Sequence, residues 1–146
     1  MRMIFVNLPV TDLDRAKRFY EALGFSINPQ FTDATAAMVV VSETIHVMLL
    51  TQARFRDFVT GEIADARAAT GALYCLSADS REAVSELKDK ALAAGAQPWK
   101  PDMDYGAMFG ASFQDPDGHV WEVMWMDAAA MSGAGGGAAE EASAAA

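Results

Sequence analysis

The chain has 146 residues, 52% of them hydrophobic and 21% charged, with a formal net charge of −9. That length fits one domain with a short extension, and the apolar content is enough for a core built without disulfides or a structural metal. The acidic balance argues against nucleic acid, whose phosphates are met by basic patches, and the single cysteine, Cys75, excludes an intrachain disulfide and a Cys-rich zinc site.

Residues 3–10 alternate as a strand, and Thr11-Asp12-Leu13-Asp14 reads as a capping box opening a helix. Leu13, Ala16, Phe19, Tyr20 and Leu23 form its apolar stripe, and Gly24 stops it. Strands are expected around Ser26 to Asn28, over 36–42 and over 44–51. Residues 52–71 form an insert in which Phe55, Phe58, Ile63 and Ala66 fit one or two short helical turns. The pattern then repeats: a strand over 72–78, Asp79 with Glu82 as a second capping box, and a helix striped by Val84, Leu87, Ala91 and Leu92. Gly95 stops that helix, and strands are expected over 96–100, 107–114 and 118–126. Each half is strand–helix–strand–strand–strand, about 1–51 and 72–126. From Asp127 the sequence turns to Ala, Gly and Ser, with little to bury, so 127–146 is expected to be a flexible tail.

The most informative stretch is Asp115-Pro116-Asp117-Gly118-His119-Val120-Trp121-Glu122. A tight turn feeds a strand in which Val120, Glu122, Met124 and Met126 share one side. His119, Trp121, Val123 and Trp125 share the other, and both sides are largely apolar. A lone carboxylate among such neighbours is costly unless it is bonded or bound, so Glu122 is either a structural acid or a pocket residue. His119 is expected at the surface of the turn.

Three motifs together resemble the vicinal oxygen chelate superfamily of glyoxalases, bleomycin resistance proteins and extradiol dioxygenases. They are Leu8-Pro9-Val10-Thr11-Asp12-Leu13, then Phe19-Tyr20-Glu21-Ala22-Leu23-Gly24-Phe25, and Asp115-Pro116-Asp117-Gly118 with Glu122. Within the superfamily the chain looks most like a branch of predicted lactoylglutathione lyases. The resemblance covers residues 1–126 and implies an α+β fold, two βαβββ modules whose mixed sheet curls around a cavity. It also implies four ligand places for a divalent ion. In this sequence those places hold Phe5, Met48, Leu73 and Glu122, and only Glu122 offers a hard donor. No metal cofactor is therefore expected. A displaced divalent-metal site remains the alternative, because strand alternation puts Asn7, His46 and Cys75 on the cavity side with Phe5, Met48, Leu73 and Glu122.

The leading expectation is a protein that binds an apolar or aromatic small molecule. Phe5, Asn7, His46, Met48, Leu73, Cys75, Tyr105 and Glu122 would contact it, with Glu122 as the sole catalytic candidate. Trp99, Trp121, Trp125, Tyr105, Met103, Met108, Met124 and Met126 are candidate wall, core or interface residues, and Asp104-Tyr105-Gly106 a mobile lip. The alternative is a glyoxalase-like lyase or dioxygenase using an unorthodox metal site. A third reading is a structural or regulatory dimer. A homodimer is expected because Trp121, Trp125 and Met126 read as an apolar surface. No apolar run approaches the roughly 20 residues of a membrane-spanning helix. The chain opens on strand-like sequence with no signal-peptide pattern, so a cytoplasmic location is expected.

Overall fold

The computed structural model describes residues 1–129, so the Ala/Gly-rich segment expected to be a flexible tail lies, after Ala129, outside the described residues. Two units are distinguished: Met1–Ala69 with Pro116–His119, and the remainder from Thr70, including Val120 onward. The first unit thus takes in most of the insert and the turn before the last strand.

In the first unit, β1 (Ile4–Val10) runs parallel to β4 (Ile45–Thr51), which pairs antiparallel with β3 (Ala36–Val40), and β3 with β2 (Ser26–Asn28). The sheet order is β1-β4-β3-β2. Alternation sends Leu8, Val10, Val39, Val47 and Leu49 to one face, where all are buried. Helix α1 (Leu13–Ala22) packs on β3 and β4 and buries Leu13, Ala16, Phe19 and Tyr20, as its spacing requires. The capping residue is Asp12, whose side chain accepts from the Arg15 amide at 3.0 Å. Thr11, part of the expected capping box, instead donates both its amide and its hydroxyl to Asp117 Oδ1, each at 2.9 Å. Gly24, at φ +98°, ends the helical segment in a conformation that side chains avoid. The insert contributes one short helix, α2 (Gln52–Arg56).

In the second unit, β5 (Leu73–Ser77) is parallel to β9 (Val120–Met126), and β9 is antiparallel to β8 (Met108–Gln114). Helix α3 (Arg81–Ala93) packs on β8 and β9, where Val84, Ala111 and Val123 form a buried cluster flanked by Leu87, Phe109 and Trp125. Its cap is Ser80, accepting from the Ala83 amide at 3.0 Å, rather than Asp79. The strand expected over 96–100 is reduced to β6 (Gln97–Pro98), because Pro98 and Pro101 cannot donate to a ladder. The same edge of β8 is taken up again by β7 (Met103–Asp104), so one edge strand is interrupted by a strap, Trp99–Asp102.

The α+β class and the βαβββ order of both modules hold. The strands form two mixed sheets, one in each unit. Two further expectations change. Trp121 is only 4% exposed and Trp125 packs against the core under α3, so the apolar surface invoked for a homodimer is largely used within the chain. His119 is 8% exposed rather than superficial; its Nε2 lies 2.8 Å from the Pro9 carbonyl and must carry the proton of that bond.

The turn before β9 is built on Gly118, at φ +92°. A Cβ there would lie 2.7 Å from the Arg67 backbone nitrogen and 2.8 Å from the Ala66 carbonyl carbon. Both the left-handed backbone and the close approach demand glycine. Gly118→Ala is expected to cost roughly 2–4 kcal/mol, from left-handed strain plus a backbone clash. Urea unfolding checks this, and a loss below about 0.5 kcal/mol would show that the 66–67 backbone yields freely.

Candidate functional site

The face of the first sheet away from α1 carries four of the expected site residues. Phe5 is opposite His46 and Asn7 opposite Met48 in the parallel ladder. Phe5 is 45% exposed and stacks on the buried His46 ring, with centroids 4.9 Å apart and planes at 16°. His46 Nδ1 is buried without a hydrogen-bond partner. Asn7 is exposed and donates from Nδ2 to the Phe5 carbonyl at 3.2 Å, which folds its amide back onto its own strand.

The other three expected residues that share a face, Leu73, Cys75 and Glu122, belong to the second sheet. Glu122 stands opposite Cys75 on β5 and opposite Ser112 on β8. Alternation explains its placement: Val123 faces α3, so Glu122 and Met124 face away. There a slot of about 20 Å³ is lined by Glu122, Leu73, Met124, Met103, Trp99 and Ser112, among others. Gly110 keeps it open, because a Cβ there would sit 3.7 Å from the terminal methyls of both Met103 and Met124. Glu122 is half-buried, and its carboxylate makes no hydrogen bond or ion pair with any described residue. Lys100 also lines the slot without pairing with it. Gly110 and Ser112 are slot residues that sequence reasoning missed, since only the β8–β9 register brings them beside Glu122.

The strap over the slot is mostly exposed and is held by polar ties. Ser112 Oγ accepts from the Lys100 amide at 3.1 Å, and Lys88 Nζ bonds Asp102 at 2.6 Å. Arg81 forks onto Asp104 and also bonds the Gly106 carbonyl, while its guanidinium lies 4.7 Å over the Phe109 ring. Arg81 and the Gly106 amide hold the Asp104 carboxyl below the usual carboxylate range. Because Asp104 is tied on the α3 side, its neighbour Met103 is directed into the slot. Tyr105, expected to contact the ligand, sits on the turn beyond this tie and is not among the slot's lining residues. The expected mobile lip is anchored at Asp104 and Gly106.

The donors present decide whether a metal can bind. Phe5 and Leu73 have no donor atom, and the Met48 thioether is too soft for Mg, Mn, Ni or Zn. Among the described residues no three His, Cys, Asp or Glu side chains gather into a ligand group. This donor set does not fit a hard divalent ion.

Cys75, taken from sequence for a small core residue if it had no site role, is exposed on the second sheet. Its thiol is nevertheless pushed up to about 11, by desolvation of the sulfur first and by the Glu122 charge second. Since the thiolate is the reacting form, native Cys75 should react with a disulfide reagent at pH 8 roughly 10–100-fold more slowly than in the urea-unfolded chain. The rate should climb as pH rises toward 11, and Glu122→Gln should speed the reaction at pH 8 by removing the negative neighbour. Equal native and unfolded rates would contradict this.

A family model described as bleomycin resistance protein-like N-terminal matches residues 2–42. No curated protein matches the chain. Among solved structures, hypothetical protein SA1046 from S. aureus is 26% identical, with a TM-score of 0.72 over 86% of this chain and 94% of that one. A glyoxalase/bleomycin resistance protein/dioxygenase family enzyme from Burkholderia phytofirmans PsJN is 18% identical, with a TM-score of 0.71 over 86% of this chain and 99% of that one. The fosfomycin resistance protein FosX from Mesorhizobium loti is 15% identical, with a TM-score of 0.64 over 88% of this chain and 95% of that one. With its two βαβββ modules and these structural likenesses, the chain has the fold of the glyoxalase/bleomycin resistance proteins, and residues 2–42 are similar to the N-terminal part of bleomycin resistance-like proteins.

Proposed function

We propose that this protein binds a small apolar or aromatic molecule in the slot of its second unit, without a catalytic metal, and sequesters it rather than turning it over. The observation that carries this reading is the composition of the slot. Met103, Met124, Leu73 and Trp99 surround a single carboxylate, Glu122, that has no partner among the described residues. Thioether and indole walls suit ligands of variable shape, because Met side chains repack at low cost. A few polar atoms then fix orientation, and Glu122 is placed to do so.

At about 20 Å³ the slot has room for roughly one water-sized group, so a larger ligand enters by displacing flexible side chains or the exposed strap. Gly110 is the position where this can be blocked without strain: its φ is not positive, and the atoms nearest its Cβ position, two methionine methyls and a carbonyl oxygen, are at ordinary contact distance, 3.7 Å. Gly110→Val fills the slot from the floor. The neutral fluorophore N-phenylnaphthylamine is expected to bind the native protein saturably, and Gly110→Val to weaken binding about tenfold or more. The urea midpoint of that variant should not fall. Non-saturable binding, or binding indifferent to the substitution, would remove the slot as the ligand site.

A further inference from the structure

We infer that the ligand is an organic cation, an amine with an apolar or aromatic body, whose charged head enters the slot against Glu122; the inference rests on the small-molecule reading above. Four features of the second unit converge on it. The Glu122 carboxylate is half-buried and has neither a hydrogen-bond donor nor a cation as partner among the described residues. A carboxylate kept in an apolar setting is costly unless a counter-charge or donors arrive. The nearest polar side chain across the β8 ladder cannot supply one, because Ser112 Oγ is engaged with the Lys100 amide at 3.1 Å and lies 3.5 Å from the Lys100 carbonyl. On the β5 side stands Cys75, a weak donor directed at the Leu76 carbonyl at 4.0 Å.

The walls point the same way. Indole rings and thioethers present electron-rich surfaces, favourable to ammonium groups and neutral toward alkyl chains. An anion would meet the like charge of Glu122, with Lys100 the one side-chain cation among the lining residues. Size divides the ligand: a slot of about 20 Å³ holds a head the size of an ammonium group and no aromatic ring. The body of the ligand then lies on the rim, where Leu73 is 52% exposed and Trp99 is exposed. The chain's net charge of −9 adds a field that draws cations.

Three probes of one shape test this: phenethylammonium, phenethyl alcohol and phenylacetate, titrated calorimetrically at neutral pH and low salt into native protein, Glu122→Gln and Glu122→Asp. In native protein the ammonium is expected to bind about tenfold or more tightly than the alcohol, and the carboxylate more weakly than either. Glu122→Gln should bring ammonium and alcohol level, while Glu122→Asp retains a preference for the ammonium. Retained saturable binding of the alcohol by Glu122→Gln shows that its loss of ammonium preference is not unfolding. Equal binding of ammonium and alcohol to native protein would overturn the cation inference and leave the small-molecule reading standing. An ammonium preference that survives Glu122→Gln would place the cation elsewhere and overturn it too. Failure of all three probes to bind saturably would remove both.

Discussion

The register of β9 between β5 and β8 is the constraint on which the chemistry of the second unit depends. Val123 must meet Val84 and Ala111 under α3, and a period of two then sends Glu122 to the opposite face. A slip of one residue would drive the carboxylate into an apolar cluster, at a cost of several kcal/mol. Burial of Val123 therefore determines where Glu122 stands, and the slot follows from the neighbours which that register supplies, Gly110 and Ser112 on β8 and Cys75 on β5. The strap completes it from above, with Asp104 tied to Arg81 so that Met103 is turned inward.

The first unit depends on a different device. Asp117, buried on the turn before β9, gathers the amide and hydroxyl of Thr11 and lies 3.6 Å from the Arg15 guanidinium. That carboxylate holds the end of β1 where α1 begins, and Gly118 lets the turn press against the 66–67 backbone. Asp117 and Gly118 of the D-P-D-G motif thus form a structural clasp within the first unit. Glu122, four residues beyond Gly118, is the part of the stretch that faces a slot.

Much of this was legible in the sequence because it rests on local periodicity. The stripe of Leu13, Ala16, Phe19 and Tyr20 and the strands β4, β8 and β9 require no knowledge of distant partners, and they held. The errors fell where a distant partner decided the outcome. Thr11 is as good a cap as Asp12 in isolation, and only Asp117, far along the chain, claims it. His119 reads as a turn residue until the Pro9 carbonyl captures its ring. Trp121 and Trp125 look like a spare apolar surface until burial and the α3 core account for most of it. The site was legible in the same measure: alternation found Glu122, Leu73 and Cys75 as one group, whereas Gly110 and Ser112 needed the cross-strand register. Tyr105 was grouped with them by its place in a presumed lip, and the Arg81–Asp104 tie puts the turn that carries it beyond the slot lining.

The resemblance read from the sequence raises the question of whether the chemistry is that of a metal. Phe5, Met48 and Leu73 replace donors by groups without a hard lone pair, and no shift of a strand by a fraction of an ångström restores one. Glu122 is left as an anchor for an organic group. Elemental analysis of the full chain, purified without chelator, incubated with excess Zn, Mn and Ni and then desalted, tests this most directly. The account predicts less than about 0.1 ion per chain, with no change on Glu122→Gln. About one tightly held ion per chain, lost on that substitution, would contradict it.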